Sequence, residues 1–429
     1  MFNRRFLLAC FLFGLYFPTC NSAAYAEDVS GQWNQWRGPN RDGISTERGL
    51  LESWPEQGPA VAYSVKGLGK GMASVAIANG KVLTMGNKDG NTKVICLNQS
   101  TGEVQWSTPF TIAEGDPNCT PTVDMASGLV YALSNDGILV CCKLDGGAPV
   151  WKTSFTKDFG GKIESGWGYS ESPLVDGDLL ICTPGASDAM LVALNKKTGD
   201  IVWKGKAPQG KLQGNDGAGY ASAILSNAAG VKQYVQLIGH GIVSYDAATG
   251  SLLWNYDRVA NRTANIPTPI AKDNYIFCST GYDDGGTALL EISKNGKEFA
   301  VKEVYYKTNQ ELQNHHGGMI MIGDYVYMGH GHNNGFPACI EWKTGKNLWE
   351  KARGAGTGSA AIVVAEGKLY FRYQDSTMAL VNTITDKYDL ISKFKLPTHN
   401  GESWPHPVIA GAKLYIRDQD ELVCFKIGK

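Results

Sequence analysis

The sequence predicts an all-β fold, an eight-bladed β-propeller of four-stranded antiparallel blades. Three observations carry this: an eleven-residue hairpin frame that occurs five times, a second strand signature that occurs eight times, and a repeat length that holds one blade. Helical periodicity of the apolar residues is missing along the chain.

The hairpin frame supplies the third and fourth strands of a blade. "CLNQSTGEVQW", "CCKLDGGAPVW", "ALNKKTGDIVW", "SYDAATGSLLW" and "CIEWKTGKNLW" each begin on a small residue, carry Gly in the seventh place and close on an indole. Those indoles are Trp106, Trp151, Trp203, Trp254 and Trp349. An apolar pair, a polar turn with Gly in left-handed geometry and a return alternation read as two tightly joined strands. The closing Trp then falls on the outer edge, where it buries a large apolar area against the next blade.

The second signature supplies the first two strands: a small residue or Pro, a short apolar strand, a Gly, Asp or Asn turn, and another apolar strand. It starts at Ser74, Thr120, Ser172, Ser222, Thr268, Gly318, Ala360 and Pro407, at spacings of 42 to 52 residues. The innermost strand of each set would line a central channel. Two copies have drifted: "NGKEFAVKEVYY" has no Trp, and "ISKFKLP" offers Phe394 in its place. The eighth start leaves 23 residues, enough for three strands. The missing edge strand is assigned to "PAVAYSVKG", residues 59–67, which alternates and carries Tyr63. Pairing it with the strand near Val423 closes the ring and removes both free edges.

Residues 1–26 have a basic start, "MFNRR", an apolar core, "FLLACFLFGLYF", and a small-x-small pattern at Ala24 and Ala26. They read as a signal peptide cleaved after Ala26, which places the protein in the periplasm or secretes it. Residues 27–58 are then an N-terminal extension and 59–429 the propeller. Cys10 and Cys20 stand in poor contexts for lipid attachment. No later stretch is long and apolar enough to form a transmembrane span. The chain has 40 basic and 41 acidic residues, and losing the leader removes only Arg4 and Arg5. Such a near-neutral, mixed surface gives no electrostatic basis for binding nucleic acid.

Of the ten cysteines, those after the leader show neither metal nor framework spacing. Cys96, Cys142 and Cys339 fall inside the frame, Cys96 and Cys339 where sister frames have Ala or Ser, and all three read as buried small hydrophobes. Cys141 and Cys142 are neighbours on one strand, point to opposite faces and cannot easily bridge.

With these motifs in place, the chain resembles the pyrroloquinoline-quinone-type (PQQ-like) β-propeller repeat family, whose hallmark is an Ala-x-Asp-x-x-Thr-Gly-x-x-x-Trp docking frame. "WNQWRGPNRDGIS", "GWGYSESPLVDGD", "NHHGG" and "SWPHPVIAGAKLYIRDQD" look like secreted single-propeller proteins of planctomycetes and related bacteria. The resemblance implies one of two branches. Quinoprotein alcohol dehydrogenases hold PQQ and Ca²⁺ at the channel mouth; BamB-like propellers bind no cofactor and serve as platforms for envelope partners.

The loops entering each blade gather on one face, and here they are the polar, irregular segments 157–171, 207–220, 257–267, 308–318 and 396–407. Rigid strands presenting variable loops make this mouth the default binding site. Quinoprotein chemistry needs hard oxygen ligands for Ca²⁺, a base, a cation beside the quinone and an indole under it. Glu171, Asn265, Asp216, Arg258, Arg353 and Trp167 are of suitable type, though they match no ligand motif of that branch, and acidic loop residues also read as solvated. A haem-binding Cys-x-x-Cys-His is absent from the sequence. Six of the seven histidines, His315, His316, His330, His332, His399 and His406, fall on the mouth side. They read either as a metal or anion site or as framework residues bonding loop carbonyls, without a spacing diagnostic of one metal. Trp167, Tyr169, Tyr220 and Trp404 suit stacking against sugars and equally suit packing the loops. "GLGKG" at 67–71 precedes no helical pattern and is a loop. The sequence thus favours a binding or scaffolding module whose partner is an envelope protein or extracellular ligand. A PQQ- and Ca²⁺-dependent alcohol or sugar oxidoreductase and a glycan-binding propeller are the alternatives.

Overall fold

The computed structural model describes residues 31–429 apart from 283 and 351, so the expected leader and its cleavage site lie outside the described residues. Eight antiparallel sheets follow one another around an axis. They comprise residues 76–112, 122–154, 174–205, 224–256, 270–308, 319–347, 360–395 and 408–426, here blades 1 to 8. Inner strands such as Leu129–Leu133 are buried on both faces because each blade is sandwiched between two others. Outer strands such as Val104–Ile112 alternate between covered and exposed positions, since one edge meets solvent. Among the described residues the only α-helix is the single turn Phe155–Phe159, capped by Ser154 and Gly160, which buries Phe155 and Phe159.

The docking frame acts through one repeated hydrogen bond. The indole N–H of Trp106 donates to the carbonyl of Leu144 at 3.0 Å, that of Trp151 to Lys196 at 3.2 Å, and that of Trp203 to Ala247 at 3.3 Å. Each acceptor is the fourth residue of the next blade's frame. The seventh-place Gly lies under the incoming ring: a methyl group on Gly199 would come 2.9 Å from the Trp151 indole, and one on Gly147 or Gly250 would overlap Trp106 or Trp203. Left-handed φ and the need for a flat seat therefore both require glycine there. Two tyrosines do the same task, which the sequence frame does not show. The Tyr63 hydroxyl donates to the fourth-place carbonyl of Gln99 at 3.3 Å, and the Tyr305 hydroxyl to that of Trp342 at 2.8 Å.

Trp254 and Trp349 differ from the expected docking. Blade 5 has lost the receiving frame, so the Trp254 indole turns to Gln233 Oε1 of its own blade at 2.7 Å. Blade 6 has an outer strand of only two residues, Lys346–Asn347, and Trp349 lies beyond it with its indole nitrogen buried and unpartnered against Tyr327 and Tyr388.

The ring closes as the alternation predicts: Val61–Val65 pairs antiparallel with Glu421–Lys426, Ser64 opposite Val423, and completes blade 8. The extension preceding it is not a separate appendage. Residues 33–45 bond to the inner strands, or their leading residues, in blades 1, 2, 3, 5, 6, 7 and 8, which only a segment on the axis can reach. Ile44–Ser45 adds a fifth, parallel strand to blade 7. The innermost strands present an unpaired edge to the channel, and carbonyls there need donors. Arg41 supplies them to Ser172 and Pro173, and Arg37 to Asp42 and Met319.

Candidate functional site

One cavity of about 580 Å³ opens at the mouth, with Trp36 and Arg37 of the axial segment at its floor. Its volume lies within the range of small-ligand sites, ~300–1,000 Å³. The loop "NHHGG" builds much of its wall. The Asn314 backbone N–H donates to Ser279 Oγ at 2.9 Å, and its side-chain Nδ2 donates to the carbonyls of Gly318 and Gly329. A side chain at Gly317 would overlap the Ala360 carbonyl, and Gly318, at φ +80°, brings the backbone against His406 and Arg37. The loop is thereby pressed inward, and His315 and His316 face the mouth.

The result is a continuous aromatic wall. Tyr282 meets His332 at 4.8 Å between ring centroids, His332 stacks on His315 at 4.2 Å, and His315 meets His316 at 4.4 Å. His316 meets Trp404 at 5.3 Å, and Trp404 meets Trp167 edge-on at 5.9 Å. Below them Trp36 packs on His406 at 4.5 Å.

Burial, reinforced by neighbouring imidazoles, pushes His315 down to about 2 and His316 to about 3; burial also takes His406 to about 3. All three are neutral at physiological pH. His315 is fixed by Ser359 Oγ at 2.7 Å and the Tyr282 hydroxyl at 3.0 Å. His406 Nε2 lies 3.0 Å from the His316 carbonyl. Both ring nitrogens of His316, Nδ1 of His332, Nε1 of Trp404 and Nε of Arg37 are buried without a partner in the chain.

The opposite wall is satisfied internally. Asn135 donates to the Trp167 carbonyl at 2.9 Å, Asn118 to Ser170 Oγ at 2.9 Å, and Ser165 meets the Tyr220 hydroxyl at 2.6 Å.

Of the residues singled out in the sequence, Trp167, His315, His316, Trp404 and His406 line this cavity, as does Tyr220. Tyr169 does not: it is buried against Phe155, its hydroxyl on the Pro184 carbonyl at 2.9 Å. Glu171 is buried beneath the wall, accepting from the Thr183 N–H and from Gln236 Nε2, and burial pushes its carboxyl up to about 7 despite Arg41. Asn265 is fully buried and ties Glu164 to Asn261. Asp216 is exposed and pairs with Lys162 and His240, Arg258 pairs with Glu303, and Arg353 lies over the Phe336 ring. His330 and His399 bond to neighbouring loops, to Gln313 and Ser376. Sequence reasoning missed Tyr282, Trp36, Arg37, Asp116 and Glu402, which all line the cavity. The one available signal was the pairing of indoles and guanidines in "WNQWRGPNRDG", a density of binding groups unusual for a linker.

Among the described residues no three His, Cys, Asp or Glu side chains are grouped to hold a metal ion. The cavity's acidic residues are Asp116 and Glu402, on the loops entering blades 2 and 8. The eight cysteines among the described residues are free and buried.

Fold and mouth together define an eight-bladed β-propeller with an aromatic cavity at its mouth. The chain belongs to the PQQ-like repeat family described as outer membrane protein assembly factor BamB, whose model matches residues 90–351. Among solved structures it is similar to BamB from Moraxella catarrhalis, at 14% identity and a TM-score of 0.59 over 86% of this chain and 100% of that one. It is also similar to the quinohemoprotein alcohol dehydrogenase of Comamonas testosteroni, at 12% identity and a TM-score of 0.64 over 93% and 81%. The computationally designed Ika8 protein matches at 12% identity and a TM-score of 0.59 over 86% and 100%. At these identities the likeness is one of fold. No curated protein matches the chain significantly by sequence.

Proposed function

We propose that the protein is an exported binding module of the cell envelope that captures an extracellular ligand, a glycan, in the mouth cavity. The observation that carries this reading is the wall of aromatic rings around the cavity, held on loops between rigid strands. Flat aromatic faces stack on the C–H faces of sugars, and fixed polar atoms read their hydroxyls. Trp167, 53% exposed at the rim, offers a platform of this kind. The family's description as an assembly factor supports the envelope setting, which the basic, apolar and small-residue pattern of residues 1–26 also supports.

Dehydrogenases of the same fold raise the question of PQQ and Ca²⁺, and the cavity's donor set does not fit them. Ca²⁺ takes six to eight oxygen ligands. Glu171 and Asn265 are turned into the framework, and the two carboxylates that do line the cavity sit in loops entering different blades. Calorimetric titration with a panel of oligosaccharides tests the reading: saturable binding, lost in Trp404→Ala and Trp167→Ala variants that melt normally, is the expected result. Alcohol-dependent reduction of an artificial acceptor by protein loaded with PQQ and Ca²⁺ would overturn it.

A further inference from the structure

We infer that the saccharide held at the mouth carries one acid group, seated on Arg37 at the cavity floor, with a neutral polyhydroxyl body reaching the rim. The inference rests on the glycan reading above and adds the ligand's charge and orientation.

Arg37 is only 5% exposed, yet it lines the cavity. Nη2 is committed to the carbonyls of Asp42 and Met319, which holds the guanidinium plane. Among the described residues Nη1 makes no hydrogen bond, and Nε is buried without a partner. Among the described residues Arg37 forms no salt bridge; the acidic side chain whose charge it feels is Asp42, whose Oδ1 already accepts from the Ile44 N–H at 2.9 Å. Arg372, by contrast, is equally buried but pairs with Asp418. Burial lowers Arg37 only to about 10, so it remains a cation. A buried cation without a counter-ion is costly, and an acid group from a ligand relieves that cost.

The floor of the cavity is thus cationic. The rim is different: Asp116 and Glu402 accept hydrogen bonds and repel further negative charge. A cation below, acceptors and anions above, fit a saccharide with a single uronic acid at its buried end and hydroxyls at the rim. A fully acidic polymer is disfavoured by the same rim.

The test titrates the full mature protein with four disaccharides: one glucuronic acid joined to a neutral sugar, its methyl ester, the all-neutral analogue and a diuronate. The acid form should bind at least tenfold more tightly than the ester and the neutral analogue, and more tightly than the diuronate, and the preference over the ester should shrink as salt rises. Arg37→Gln should erase that preference, so that acid and ester bind alike. The acid–ester comparison on the wild type stands even if the variant fails to fold. Equal binding of acid, ester and neutral forms would overturn this inference and leave the glycan reading intact. Tightest binding of the diuronate would overturn the single-acid assignment. No binding of any of the four, with none from the wider panel, would overturn both.

Discussion

The two halves of the mouth are built from the same repeat and differ in how completely they satisfy themselves. Between residues 93 and 312, covering most of blades 1 to 5, no buried side-chain nitrogen or oxygen among the described residues lacks a partner. From Gln313 onward such atoms are frequent: Gln313, Asn314, His316, His332 and Trp404 all contribute. An unmade buried hydrogen bond costs ~1–3 kcal/mol, so a chain tolerates a cluster of them only where something else is served. The difference teaches that blades 2 to 5 present a finished framework, while blades 6 to 8 present the face that the proposed ligand would meet.

The largest break in this comparison should come from the segment both halves share. Deleting residues 31–66 removes the axial filling and the strand that closes blade 8, exposing an edge, taking away Trp33 and Trp54 and uncovering the residues packed on them. We expect a loss of several kcal/mol, read as a large fall in melting temperature. A truncated form that melts like the longer chain would show that the ring does not depend on it.

Next in size, single substitutions should separate the halves. Asn265→Ala strips partners from buried Glu164 and Asn261 and should cost about 2–4 kcal/mol in chemical denaturation. Trp404→Phe deletes a nitrogen that has no partner and should cost under ~1 kcal/mol while weakening saccharide binding. Equal destabilisation by both changes would abolish the distinction.

pH should pull the halves in opposite directions. Burial lifts Glu164 and Glu171 from 4.5 to about 7, so the stability they contribute is full below pH 4.5 and lost as pH rises through 7. His316 and His406, held down at about 3, contribute stability that is full above pH 6.5 and lost as pH falls toward 3. Glu171→Gln should therefore flatten the decline between pH 5 and 7, by up to about 3 kcal/mol, leaving the acid limb unchanged. His316→Asn should flatten the acid limb alone. Denaturant midpoints measured across pH 4–8 check both; parallel curves for wild type and variants would refute the assignment.

The smallest effect should appear at the docking indoles. Trp203→Phe loses a donated hydrogen bond and should cost about 1 kcal/mol beyond the packing change, whereas Trp349→Phe loses none. Equal costs in thermal melts would show that the repeated bond contributes nothing.

Much of the fold was legible because the frame states its own geometry: a Gly that must be left-handed and flat, an aromatic that must reach the next blade. Tyr63 and Tyr305 extend that rule, since a hydroxyl reaches the same carbonyl from an equivalent position. The axial segment was illegible for the opposite reason. It has no periodicity, and its partners lie as far as 364 residues away, between Ser45 and Ile409. The site was half legible. Residue type and loop position found His315, His316, Trp404 and His406, but Glu171, three residues before an inner strand, is turned by its bond to Thr183 into the framework instead of the mouth. Side-chain direction at the head of a strand depends on contacts that a linear pattern does not carry.

The closing strand also sets the order in which the molecule can be finished. Ser64 bonds to Glu421, 357 positions later, so the ring remains an open arc until the final blade exists. During synthesis the early blades acquire their neighbours one after another, while the segment that emerges before them has no seat. It must stay unplaced until the last strands arrive, and that late, long-range closure, rather than the making of any blade, is the slow step expected for this topology.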